Sequence, residues 1–330
     1  MDALLCGDVG GTHSRLALYA RGWLDEPLLL RVYPSAHYPA LQPLLEQFLA
    51  EARQALPEAR PVRACFGAPG PTNGAIIRPV NLAWVIDTAE VARWLALQRT
   101  EFINDFSANC LAVTRLGPEH LQQIGKGERQ ARQPLAVLGA GTGLGEGFVV
   151  WHGEQPVVVP TEGGHKDFAP HDALEMRLLA YLLRKGPHVS WELLLSGMGL
   201  VHLYEFLRDE EALPESPQVR AAMAQEDPAA VITRYGVPGL DGLCSRVLDL
   251  FCTLYGAEAG NLALQVLATG GVYLAGGIAR HLGARLHDGK FRAGFENKGR
   301  YRQFVETIPT YLITHPWPGL LGAAIAADRD

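Results

Sequence analysis

Residues Gly7-Asp8-Val9-Gly10-Gly11-Thr12 combine bare backbone with a single carboxylate, a pairing suited to phosphate chemistry. The apolar Leu4-Leu5-Cys6 runs into them and the alternating Arg15-Leu16-Ala17-Leu18-Tyr19 runs out, so the spacing predicts strand, glycine turn, strand. Paired glycines let the chain turn with positive φ and bring N–H groups close to a ligand, where a Cβ would obstruct. Asp8 alone would repel phosphate. It fits beside such a turn when a hydrated Mg²⁺ lies between them, because Mg²⁺ keeps several waters and few protein ligands. The stretch therefore points to a nucleoside triphosphate, against the alternative of an ordinary Gly-Gly hairpin with Asp8 as a turn residue.

The same device recurs in mid-chain. Ala136-Val137-Leu138 leads into Gly139-Ala140-Gly141-Thr142-Gly143-Leu144-Gly145, and Gly147-Phe148-Val149-Val150-Trp151 leads out. Two such hairpins facing one another would hold a polyphosphate from both sides, each with backbone N–H groups and a threonine hydroxyl. Residues 139 to 148 fit neither the G-x-G-x-x-G register nor a P-loop, since no Gly-Lys-Ser/Thr follows.

Four further places have a chemical use. Asn104-Asp105 closes the strand Glu101-Phe102-Ile103 and precedes a helical stretch, Phe106 to Val113. Either the pair caps that helix, or Asp105 takes the proton of an attacking alcohol and orients it toward a γ-phosphorus, with Asn104 on a neighbouring hydroxyl. Glu162-Gly163-Gly164-His165 follows the strand Val157-Val158-Val159. One Glu and one His are too few ligands for a structural metal site, whereas a carboxylate and an imidazole match the vicinal hydroxyls of a polyol. Ser190-Trp191-Glu192 is expected to open a helix, which gives Glu192 a structural explanation in the helix dipole. Gly276-Gly277 follows Val272-Tyr273-Leu274-Ala275 and suits either a flat group such as adenine or close helix–sheet packing.

The elements that position these residues alternate. Strands are predicted at Leu28–Tyr33 and Arg63–Gly67. One helix carries Leu41, Leu44, Leu45, Phe48 and Leu49, and another, capped by Asp87 or Thr88, carries Val91, Trp94 and Leu95. Between them lie the loop Ala68-Pro69-Gly70-Pro71-Thr72 and an extended segment through Ile76-Ile77 and Asn81-Leu82-Ala83-Trp84. Asp172 caps a helix to Leu183, residues 209–240 are expected as a surface excursion, and Leu243 to Leu254 forms a core helix. Pro316 to Ala326 reads as a proline-marked turn and a further helix. The fold class is α/β, with helices against mixed sheets.

Composition narrows the partner. With 330 residues, 48% hydrophobic and 19% charged, the chain is long enough for two domains with cores. A net charge of −6, with no basic run longer than a pair, argues against nucleic acid and anionic membrane and for a small molecule. Cys6, Cys65, Cys110, Cys244 and Cys252 are scattered and odd in number, as expected of buried thiols in a reducing compartment, the cytosol by default. No signal peptide is expected, because Asp2 and Asp8 bracket too short an apolar segment. The uncharged stretch Ala259–Ala279 holds too many glycines for a membrane span.

Taken together, the sequence resembles the bacterial glucokinases of the actin, hexokinase and heat-shock-chaperone ATPase superfamily over nearly its whole length. The resemblance is carried by Gly7 to Thr12, Phe102-Ile103-Asn104-Asp105-Phe106, Gly139 to Gly145, Glu162-Gly163-Gly164-His165 and Leu274-Ala275-Gly276-Gly277-Ile278, in that order. It implies a two-lobed actin-like (ribonuclease H-like) fold with a cleft between a small lobe, 1–114 plus 305–330, and a large lobe, 115–304. It also implies ATP- and Mg²⁺-dependent phosphorylation of glucose at its 6-hydroxyl, with Asp105 as base. Asn104, Asp105, Glu162, His165 and Glu192 would then contact the sugar, the last against its structural explanation. Gly7, Asp8, Val9, Gly10, Gly11, Thr12, Gly141, Thr142, Gly143, Gly276 and Gly277 would hold the nucleotide, with Asp8 reaching Mg²⁺ through water. A cytoplasmic homodimer follows from the resemblance as well. His13 stands where the family suggests Asn, and Met198 interrupts a Gly-Pro-Gly-like turn. A kinase for another hexose, a silent sugar sensor, a chaperone-like ATPase and an acyl-phosphate-forming kinase are the competing functions.

Overall fold

The Gly7–Thr12 stretch is the tip of a hairpin. β1 (Asp2–Val9) and β2 (His13–Ala20) pair antiparallel, with Gly7 opposite Leu16 and Val9 opposite Ser14. After them come β3 (Leu29–Pro34), α1 (Leu41–Ala55), β4 (Arg60–Ala68), the short β5 (Ile76–Ile77) and β6 (Ile86–Asp87), α2 (Thr88–Leu95), β7 (Arg99–Asn104) and α3 (Asp105–Val113). The computed structural model describes residues 1–70, 72, 74–79 and 82–329; Pro71 and Asn81, expected in a loop and an extended segment, lie outside these.

The first sheet has the order β3-β2-β1-β4-β7, antiparallel up to β1 and parallel from β1 onward. α1 buries Leu41, Leu44, Leu45, Phe48 and Ala52 against it, the three- and four-residue spacing of one apolar face. Asp87, rather than Thr88, caps α2 by accepting the Glu90 N–H at 2.9 Å.

The second sheet is built from β8 (Leu121–Ile124), β9 (Leu135–Ala140), β10 (Leu144–His152) and β11 (Gln155–Pro160), followed after α4 (Ala173–Leu183), α5 (Gly197–Asp209), α6 (Pro217–Met223), α7 (Pro228–Gly236) and α8 (Gly242–Val266) by β12 (Val272–Ala275). Then come α9 (Gly277–Leu282), α10 (Lys290–Glu296), α11 (Arg302–Glu306) and β13 (Thr310–Ile313), and the chain continues into α12 (Pro318–Asp328). The sheet order is β11-β10-β9-β12-β13-β8. Leaving out β8, its order and strand directions repeat those of the first sheet. The recurrence seen in two glycine turns is thus a recurrence of whole sheets.

The chain divides into two compact units, 1–117 with 315–330, and 118–314. The expected borders were 114/115 and 304/305. The second moves to 314/315 because β13 pairs with β12 and β8, which ties residues up to 313 into the second sheet. α12 belongs to the first unit. It is buried from Gly319 to Ala327, so an all-round apolar helix is the expected composition, and a methyl on Gly322 would overlap the Ala108 carbonyl of α3.

Two expectations are corrected. Ser190-Trp191-Glu192 does not start a helix: a bridge from Ser190 to Asp167 is followed by tight turns, and α5 begins only at Gly197, capped by Ser196. Residues 209–240 are not merely a surface excursion, because α6 and α7 bury Val219, Val231 and Ile232 in the core of the second unit. Among the described residues all five cysteines are buried and unpaired, and no helix is long and apolar enough to cross a membrane.

Candidate active site

In the first unit, Ser35 holds the β1–β2 tip from below. Its N–H donates to Thr12 O at 2.9 Å, its hydroxyl donates to Gly10 O at 2.6 Å, and Ser14 Oγ lies 2.9 Å away. Gly11 and Thr12 are left facing outward, whereas the side chain of Val9 is fully buried, so Val9 offers only its backbone to a ligand. A Cβ on Gly7 would stand 2.5 Å from a Phe66 ring carbon, and one on Gly10 2.7 Å from His13 O. Packing therefore requires both glycines, whereas none of Gly7, Gly10 and Gly11 has the positive φ expected of the turn.

Asp8 pairs with Arg15 at 3.0 Å, and the Arg15 guanidinium lies 4.6 Å from the centre of the Trp317 ring. Burial pushes the Asp8 carboxyl up, against the pull of Arg15. A half-buried carboxylate whose charge is opposed by desolvation is stabilised by a nearby hydrated cation, so Asp8 fits the outer-sphere Mg²⁺ role.

Parallel pairing places Asp8 beside Gly67 on β4, and Gly67 beside Ile103 on β7. Asp8 and Asn104-Asp105 thus share the carboxyl edge of three parallel strands, where α/β sheets bind ligands. Asn104 is the cap of α3: its Oδ1 accepts the N–H groups of Phe106 and Ser107 at 2.9 and 3.0 Å, while Nδ2 donates to Gly70 O at 3.2 Å. Asp105 occupies the first helical position, with Oδ1 accepting the Phe106 N–H at 2.8 Å. The helix terminus favours negative charge there.

In the second unit, the β9–β10 turn is closed by Gly141 N–H to Gly143 O at 2.9 Å, and Gly197 N–H donates to Gly141 O at 2.9 Å. Thr142 is exposed. Gly276 has φ +89°, and a methyl there would overlap the Ala140 carbonyl, so the start of α9 lies on the end of β9. A Cβ on Gly277 would meet nothing. A cavity of about 610 Å³ opens here, lined by Gly141, Thr142, Gly277 and Ile278 together with Thr233 and Arg234 of α7. The α7 contribution had no place in a surface excursion. Its signal in the sequence is Asp227-Pro228, a cap followed by proline at the first helical position.

Glu162 is exposed and precedes the one-turn helix Gly163–His165, where the His165 N–H donates to Glu162 O at 3.0 Å. The two glycines are close-packing positions: a methyl on Gly164 would overlap the Leu144 carbonyl and one on Gly163 the Glu146 carboxylate. Glu192 is joined to both motifs. Its N–H donates to Gly164 O at 2.9 Å, its Oε2 accepts the Leu144 N–H at 2.9 Å, and its Oε1 lies 3.8 Å from His165 Nδ1. With no helix at this point, the dipole explanation of Glu192 is replaced by a hydrogen bond to the β9–β10 hairpin. His13 and Met198, the two departures from the family pattern, are exposed at the start of β2 and in the first turn of α5.

The glucokinase family model matches residues 5–330. The glucokinase of Trichormus variabilis is 40% identical over 344 aligned residues that cover all of both chains. The crystal structure of a glucokinase from an Antarctic psychrotroph superposes with a TM-score of 0.86 at 30% identity, covering 99% of each chain. A ROK-family glucokinase from Streptomyces griseus, solved with glucose and AMPPNP, shares the fold at a TM-score of 0.67 and 18% identity, over 98% of this chain and 99% of its own. Two sheets of one topology, each with a glycine-tipped hairpin at its ligand edge, are thus found in a chain whose full length aligns with these proteins: it belongs to the glucokinase family.

Proposed function

We propose that the chain transfers the γ-phosphoryl group of ATP to the 6-hydroxyl of glucose, with Asp105 as general base. The observation that carries this reading is the placement of Asp105 and the Asp8 hairpin tip on one carboxyl edge of the first sheet. A base must lie near the transferring phosphoryl group, and few other functions need a carboxylate at both points. Glu162, His165 and Glu192 bind sugar hydroxyls. A carboxylate accepts two hydroxyl protons, and His165 donates or accepts according to tautomer. Asn104 presents its remaining amide donor to a neighbouring hydroxyl.

The turns Gly10–Thr12 and Gly141–Gly143 offer N–H groups and threonine hydroxyls to the phosphates, and the cavity beside Gly277 takes the adenosine. Asp8 would hold a hydrated Mg²⁺, which would supply charge neutralisation to the phosphoryl groups. A cytoplasmic homodimer accords with the family, and light scattering on the purified chain tests the dimer.

The deciding experiment is Asp105→Ala. The variant is expected to lose roughly 10²- to 10⁴-fold in kcat, as removal of a general base does, with an unchanged circular dichroism spectrum. A kcat within a few-fold of wild type would rule out Asp105 as the base.

A further inference from the structure

Behind the sugar-facing turn of the second unit lies a cluster of charged side chains that the proposed reaction does not use. Glu146 projects from β10 just after the phosphate turn, with its side chain only 1% exposed and its carboxylate against the backbone of Gly163. Lys166 follows His165 directly. Its Nζ lies 2.9 Å from Glu146 Oε2 and 2.6 Å from Oε1 of Glu258, a fully buried residue in the middle of α8. Asn261 Nδ2 donates to the other Glu258 oxygen at 2.8 Å.

The cluster is asymmetric. Glu258 accepts from Lys166 Nζ and Asn261 Nδ2, whereas Glu146 has the Lys166 ammonium 2.9 Å from one oxygen and faces the Glu258 carboxylate. Burial and the facing Glu258 push the Glu146 carboxyl up to about 7. A buried group of this kind adds little stability compared with an apolar core of the same volume, so a role in fixing geometry is the hypothesis to test.

Lys166 is placed for that role at both ends. Its carbonyl accepts the Trp191 N–H at 3.1 Å, immediately before Glu192, and Thr161 Oγ1 donates to Glu146 O at 2.9 Å, immediately before Glu162. Side chain and main chain of one residue thus join β10, the Glu162–His165 turn, the segment bearing Glu192, and α8.

We propose that Lys166, clamped between Glu146 and Glu258, is a positioning residue for the sugar, setting where Glu162, His165 and Glu192 stand relative to the phosphate turn. The proposal rests on the assignment of those three residues to glucose. The full chain is compared as wild type, Lys166→Met, Lys166→Met/Glu258→Gln and Glu192→Ala, by steady-state kinetics and by glucose titration followed by intrinsic fluorescence without nucleotide. Lys166→Met is expected to raise both the glucose KM and the glucose Kd by roughly tenfold or more, as small misplacements of binding groups do, with the ATP KM within about twofold. The double variant, which removes the orphaned charge, recovers thermal stability but not glucose affinity.

Equal changes in both KM values, or recovery of glucose affinity together with stability, would overturn the proposal and leave a purely structural cluster. Should Lys166→Met not fold, Glu146→Ala is read in the same way. If Glu192→Ala leaves the glucose Kd unchanged, the sugar assignment itself fails. If Glu192→Ala weakens binding and Lys166→Met does not, only the positioning role is lost.

Discussion

At the scale of single residues, the Glu162–His165 turn depends on what is missing from it. Gly163 and Gly164 read in the sequence as a bend that exposes its neighbours, and the structure adds that both lie flat on β10. A Gly164→Ala methyl meets a backbone carbonyl, which cannot swing aside as a side chain would. It is expected to cost about 1–3 kcal/mol of stability, the range for overpacking, and to raise the glucose KM; denaturant titration and kinetics check the two effects. Glu146 gives a second residue-scale prediction. A glutamate in the unfolded chain ionises near 4.5, but in the fold Glu146 keeps its proton up to about 7. Its neutral form therefore contributes stability fully below the lower value, and this is lost as pH rises through the upper one. Glu146→Gln should thus be more stable than wild type at about pH 8 and nearly equal to it at about pH 5, measured as the denaturation midpoint. A difference independent of pH would mean that this carboxyl does not titrate in that range. Glu192 marks the limit of legibility at this scale. Its partner Leu144 is 48 residues away, and a hydrogen bond to a backbone N–H leaves no trace in residue type.

At the scale of elements, the hairpins were legible because alternating apolar runs bracket glycine turns, and α1 and α8 because their apolar spacing is long and regular. The short helices α6 and α7 were not, since each buries only one or two apolar residues among alanines and charges. Their start signals were nevertheless present: Ser216-Pro217 and Asp227-Pro228 both place a capping side chain before proline. The start of α9 carries a prediction of its own. Gly276 must stay glycine, because its φ is positive and its α-carbon sits on Ala140, but Gly277 faces open cavity. Gly277→Val is expected to fold normally and raise the ATP KM roughly tenfold or more by filling nucleotide space, with glucose binding unchanged. An unchanged ATP KM would remove the adenosine from this cavity.

At the scale of the whole molecule, the expected α/β class and its duplicated hairpins were in the sequence, whereas the second crossing between units was displaced because the strand Thr310–Ile313 was not read from the sequence. ADP release from Mg-ATP against a panel of hexoses should show glucose with the highest kcat/KM and almost no turnover without sugar. A different best sugar would keep the fold and revise the specificity. One feature of the connectivity bears on how the protein is made. α12 packs on α3 and places Gly319 beside Asp8, yet it is encoded about 200 residues after α3 ends. At ribosomal speeds of roughly 5–20 residues per second, the first unit waits on the order of 10–40 s with the apolar surface under α12 bare. Residues 118–314 are contiguous and need not wait. The unit translated first is therefore completed last, and nascent chains stalled before α12 present a sticky face to chaperones and proteases before they have assembled the surroundings of Asp8.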